Sequence, residues 1–185
     1  MKKEIDLGHV LVVINYSTGR VGCQIPSTPS TTTAPSASWG STEHPAGLTR
    51  PSGPWTPAAV LALAVVFAAK RAGRQVTTMQ RVLRIVRAAN SITATPATYE
   101  QATAAVEAVR RVAWFSPGRT ACLEESAAAV VLLALRGRSA VWCHGVAPDP
   151  IRLHAWLTTD DGTPVAEPAS TNAYTIALTI GATHD

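Results

Sequence analysis

SPGRTACLEESAAAVVLLALRGRSAVWCHGVAPDPIRLHAWLTTDDGTPVAEP, residues 116–168, is the stretch whose reading decides the fold. Ser116-Pro117-Gly118 punctuates the chain as a turn. Thr120 is then placed to cap a helix over about residues 121–135, which stops at Gly137. Short runs rich in β-branched and aromatic residues follow, predicting strands over 140–146, 152–159, 163–167 and 174–180. One helix running into an antiparallel sheet predicts an α+β architecture, with the helix packed on the sheet.

Upstream, the apolar period changes to three and four residues. Thr56-Pro57 opens a helix reaching about Ala72, because proline is tolerated where the first amides lack partners anyway. A second helix over 76–89 aligns Val76, Met79, Leu83 and Val86, leaving its arginines on the other side. A third over 97–114, opened by Pro96 or Thr98, turns Tyr99, Ala102, Val106 and Val109 inward. These helices and the strands after them form one unit over residues 57–182. Before it, residues 24–56 are dominated by Ser, Thr, Pro, Ala and Gly, a composition that buries too little apolar surface to offset ordering entropy, so this segment reads as a disordered linker. Residues 1–23 hold a β-hairpin at 9–23, HVLVVINYSTGRVGC, turning at Ser17-Thr18-Gly19.

Composition excludes several classes of function. At 185 residues, 46% apolar and 15% charged, the chain holds enough hydrophobic surface for a compact core. The net charge of +4 gathers in Lys70, Arg71, Arg74, Arg81, Arg84, Arg87, Arg110 and Arg111. No aromatic residues are interleaved there for base stacking, so a solvated helix face is expected and nucleic-acid binding is not. The longest apolar run, Ala58 to Ala69, is shorter than the roughly 20 residues a bilayer span needs. MKKEIDLG carries acidic residues where a secretory signal needs an apolar run. Three widely spaced cysteines, Cys23, Cys122 and Cys143, match neither a disulfide framework nor a zinc site, which suggests reduced thiols in a cytoplasm. There is no phosphate-binding glycine loop, and no cofactor is expected.

The chemistry-bearing residues fall in the opening stretch. A thiol at a helix N-terminus meets free amides and the positive end of the dipole, which lower a cysteine pKa from about 8.5 toward roughly 3.5–7.5. Cys122 holds that position if Thr120 is the cap, although an isolated cysteine is more often a small core residue. Glu124 and Glu125 oppose activation unless they point away. His154 strengthens the case, since it shares a strand face with Trp156 while Leu153, Ala155 and Leu157 share the other. If Asp161-Gly162 is a two-residue turn, Asp160 pairs with Thr163 and Glu167 lies on the face of His154, one diagonal step away. If the loop takes three residues, Glu167 opposes Ala155 on the wrong face. Asp160 and Asp161 are rival acids, projected into solvent by the turn. Cys143 and His144 are neighbours on a strand and point to opposite faces, so they do not serve each other: Cys143 reads as core and His144 as surface or cleft lining.

Taken together, Ala121-Cys122-Leu123-Glu124-Glu125-Ser126, Leu132-Leu133, Arg136-Gly137, Trp142-Cys143-His144-Gly145-Val146, Asp149-Pro150 and Leu153-His154-Ala155-Trp156-Leu157 resemble the lasso peptide maturation peptidases over roughly residues 57–180. The resemblance implies a papain- or transglutaminase-like fold. It also implies a cysteine endopeptidase that cuts the leader from a ribosomally made lasso precursor before a partner cyclase closes the ring. By position, the family's nucleophile falls on Cys122 and its histidine on His154. Its acid, often aspartate, falls on Glu167, and Glu125 stands where the family tends to carry a basic or polar residue. The implied partners are the precursor peptide, a leader-recognition protein and an ATP-dependent lasso cyclase. Residues 9–23 look similar to the first strands of the family's leader-recognition domain, which makes them a remnant of it, a docking hairpin or a hairpin without function. Two alternatives stay open: a non-catalytic peptide-binding or partner-docking module, and an acyl transferase using the same triad.

Overall fold

The computed structural model describes residues 1–25, 55–93, 95–116, 120–148 and 150–181. Most of the linker expected at 24–56, and Pro117-Gly118 of the expected turn, lie outside these residues. The fold is α+β, with four α-helices and two antiparallel sheets among the described residues.

Helix α4, Cys122–Ala134, is the centre of the molecule. Its run Ala127 to Leu133 is apolar all round, and such a helix is stable only when enclosed. Every residue from Ser126 to Leu133 is buried. Around it pack α1 (Thr56–Arg71), α2 (Thr78–Ser91), α3 (Tyr99–Trp114) and strand β5 (Arg152–Thr158). Thr98 and Gln101 close a capping box on α3: Gln101 N–H donates to Thr98 Oγ1 at 3.3 Å, and Thr98 N–H to Gln101 Oε1 at 3.2 Å. Val76 is 50% exposed rather than inward, because residues 75–77 form a 3-10 turn ahead of α2. Tyr99, the first residue of α3, is also exposed, at 45%.

The C-terminal sheet has the order β5-β4-β6, where β4 is Val141–Ala147 and β6 is Thr175–Ile180. The central strand β4 is buried along its whole length. It pairs with β5 in the register Cys143↔Trp156 and Gly145↔His154. The strand expected at 163–167 does not form: one bridge, Thr158↔Pro164, stands in its place.

Residues 1–24 form a second sheet of order β1-β2-β3, with β1 at Lys2–Asp6, β2 at Leu11–Asn15 and β3 at Arg20–Gln24. The hairpin expected at 9–23 supplies β2 and β3. The mainly charged segment ahead of it supplies β1. Ile5, Val12, Ile14 and Tyr16 are buried in the same cluster as the helices and the inner face of β4 and β5. The basic face is less solvated than its composition suggests. Arg81 closes the end of α1 through Nε to Ala69 O at 2.6 Å and Nη2 to Lys70 O at 3.1 Å, while Lys70 pairs with Glu124.

Candidate active site

Cys122 is the first residue of α4 and is half-buried. Thr120 is not the cap. Its hydroxyl donates to Glu125 Oε1 at 2.9 Å, and the extended residue Ala121 precedes the helix. The Ala121 amide is satisfied instead by Glu124 Oε2 at 3.1 Å, and Lys70 holds the other oxygen of that carboxylate. Both acidic residues after the cysteine are thereby engaged with partners of their own.

His154 stands on β5, the edge strand beside the tip of α4. Its ring and Cys122 line the same cleft, and the cysteine's influence is felt in the proton affinity of the imidazole. Glu167 Oε2 lies 2.7 Å from Nε2 of the ring. Trp156, two residues along the same face, stacks on the imidazole at 5.6 Å and 13°, and Tyr174 tilts against it at 5.4 Å. Burial pushes the His154 pKa down. Hydrogen bonds to Cys122 and Glu167, and the negative charge of both, outweigh burial and raise it to about 9. For Glu167, burial raises the carboxyl pKa, but the bond to His154 and the nearby charges of His154 and Arg110 leave it below the usual range.

The route by which Glu167 reaches His154 differs from the expected one. Thr159 N–H donates to Thr163 O at 3.0 Å and Val165 N–H to Leu157 O at 2.9 Å, so the loop takes three residues, Asp160-Asp161-Gly162. Continued regularly, this register would set Glu167 opposite Ala155 and away from the histidine. The pleat is broken first. Ala166 takes a positive φ of 52°, and Pro168 leads into a 3-10 turn over Ala169–Ala173, so the side chain of Glu167 swings onto the face of His154. Asp161 stays in the turn, accepting from Thr159 Oγ1 at 2.5 Å and Thr163 N–H at 3.0 Å, and Asp160 is exposed beside it.

His144 is neither surface nor cleft lining. It is 7% exposed, its Nδ1 lies 2.8 Å from Tyr16 Oη, and it stacks on Trp142 at 6.0 Å. Burial, and then the charge of His154, lower its pKa to about 4. Cys143 is buried against Val141 and Trp156, and burial raises its thiol pKa.

The cleft over Cys122 encloses about 430 Å³ and is lined by Val106, Arg110, Cys122, His154, Glu167 and Tyr174 among others. A helix-tip sulfur, an imidazole and a carboxylate brought together in one cleft suit acyl transfer through a thioester. A family model, the transglutaminase-like superfamily, matches residues 60–179. The chain belongs to the transglutaminase-like superfamily. That membership points to cysteine protease or acyltransferase-like chemistry. No curated protein and no solved structure matches the chain. Among the described residues of this superfamily member, no group of His, Cys, Asp and Glu could hold a metal ion, and no helix is long and apolar enough to cross a membrane.

Two residues that hold Glu167 escape the sequence reading. Arg110 donates from Nη2 to Glu167 Oε1 at 2.5 Å and from Nη1 to Ala166 O at 2.6 Å, with Nε 4.0 Å from Glu125 Oε2. Thr171 Oγ1 donates to Glu167 Oε2 at 3.1 Å. Arg110 had a signal. It stands four residues after Val106 on the inward stripe of α3, where an arginine is out of place unless it has a buried partner.

Proposed function

We propose that this chain is a cysteine endopeptidase that removes the leader of a lasso precursor before an ATP-dependent partner cyclase closes the ring. The observation that carries the chemistry is the convergence of Cys122, His154 and Glu167 on one cleft, with Glu167 2.7 Å from the ring. The choice of substrate rests on the motifs from Ala121 to Leu157. In this reading His154 holds the thiol proton and Cys122 Sγ attacks the scissile carbonyl. The oxyanion forms at the free amides of α4, and the imidazolium passes its proton to the departing amine. A water activated by His154 then hydrolyses the thioester. Glu167 fixes the tautomer and steadies the imidazolium.

The three-stranded sheet at residues 1–24 stands, in this reading, for part of a leader-recognition domain ahead of a peptidase domain at 57–182. Three unpaired cysteines suit a cytoplasmic setting. A reconstituted assay with precursor, recognition protein and cyclase tests the reading: Cys122→Ala and His154→Ala should each abolish leader cleavage, and cleavage at normal rate in either variant refutes it. Superfamily membership favours acyl transfer as the second reading, and a product carrying a new amide instead of a free leader carboxylate would select it. Iodoacetamide at neutral pH tests for a merely docking module. An activated Cys122 labels faster than the exposed Cys23, whereas equal rates favour docking.

A further inference from the structure

We infer that Arg110 is a positioning residue of the site, whose guanidinium holds the segment Ala166-Glu167 out of sheet register so that the carboxylate meets His154. This rests on the reading of Cys122, His154 and Glu167 as a triad. Three observations carry it. Two nitrogens of one planar fork bind two consecutive residues, the main-chain oxygen of Ala166 and the side chain of Glu167, at 2.6 and 2.5 Å. Ala166 sits at φ 52°, where an alanine is strained and would relax to extended backbone without an outside partner. The pairing of Leu157 with Val165 directs an extended chain to put Glu167 opposite Ala155, away from the imidazole. The clamp therefore acts where the strand would otherwise carry the acid to the wrong face.

The carboxylate has no freedom left. Oε1 faces Arg110, while Oε2 takes His154 and Thr171. Lysine is a poor substitute at position 110, because a single ammonium on a flexible stem does not reproduce the two-pronged grip.

The charges around His154 make the test decisive. Around it are Cys122 and Glu125 of α4, Arg152 of its own strand, Glu167 after β5 and Tyr174 before β6, with His144 of β4 across the sheet and Arg110 of α3 behind Glu167. Arg110 is cationic, so losing its charge alone would raise the pKa of His154. Losing its grip on Glu167 would lower it. The two roles have opposite signs.

The experiment is an NMR titration of the His154 ring in the full chain, without substrate, for wild type, Arg110→Gln, Arg110→Lys and Glu167→Gln. The inference expects the midpoint to fall from about 9 toward the ordinary 6.5 in Arg110→Gln, a loss on the order of 100-fold in proton affinity. The Arg110→Gln/Glu167→Gln double variant should fall no further than Glu167→Gln alone. Arg110→Lys, which keeps the charge, should fall as well and serves if the glutamine variant does not fold. A midpoint unchanged or raised in the Arg110 variants overturns the positioning role. An ordinary midpoint in wild type sinks the triad instead, so the two failures are distinguishable.

Discussion

Raising or lowering the pH from about 6.5 should destabilise this protein in both directions, through two histidines with opposite environments. The pKa of His154 is raised in the fold to about 9, so the folded state holds its proton after the unfolded chain has released it. Its stabilisation is fully present below pH 6.5 and is lost as pH rises through 9. The pKa of His144 is lowered to about 4, so the unfolded chain takes up that proton first. Its contribution is present above pH 6.5 and is lost as pH falls through 4. Each amounts to about 3 kcal/mol, a large part of a typical domain's stability. Both rings are nearly enclosed, with side-chain exposure of 14% for His154 and whole-residue exposure of 7% for His144, so solvent screening removes little. Glu167, whose pKa is lowered, steepens the acid side further. Urea unfolding followed by tryptophan fluorescence from pH 4 to 9 should trace a dome. His154→Ala should flatten its alkaline limb. Tyr16→Phe combined with His144→Leu, which removes both partners of one buried bond, should flatten much of the acid limb. Stability that stays level from pH 6.5 to 9 in wild type would refute the ion-paired state of His154.

A β-carbon added at Gly145 would stand 2.8 Å from both Thr175 O and Trp156 Cη2. Gly145→Ala should therefore cost about 2–3 kcal/mol, read as a fall in Tm, and should slow thiol chemistry at the cleft by displacing the ring that stacks on His154. Glu124 is 4% exposed, satisfies the Ala121 amide and pairs with Lys70, so Glu124→Ala should cost about 1–3 kcal/mol in denaturant unfolding. Glu124→Gln, which keeps an acceptor for the amide, should cost less.

Features whose physics is local were legible in the sequence. The apolar run after Cys122 and the glycine beyond it place α4 within a residue at either end, and the alternation around His154 yields β5 and the face it shares with Trp156. Features set by distant partners were not. β1 reads as charged chain because Ile5 is its one buried residue, and burial of one face is all that marks an edge strand. His144 reads as exposed because its hydrogen-bond partner, Tyr16, lies 128 positions away. At the acid the local reading misleads, since nothing about an alanine at 166 announces a positive φ. The preference of that residue is overridden by an arginine on α3, 56 positions earlier.

The same long-range logic ties the N-terminal sheet to the helix that carries Cys122. Tyr16 Oη meets His144 Nδ1 at 2.8 Å, His144 stacks on Trp142, and Trp142 Nε1 donates to Ser126 Oγ at 2.9 Å, one turn along α4 from Cys122. Every group in this relay is buried, where an unmade hydrogen bond costs far more than a made one gains. The relay consequently favours one relative placement of sheet, strand and helix. A charge on His144 would put a second cation across the sheet from His154 and an unpaired ion into the core. Acid would thus loosen the seat of α4 and the attachment of β2 together, before it reached the carboxylate in the cleft.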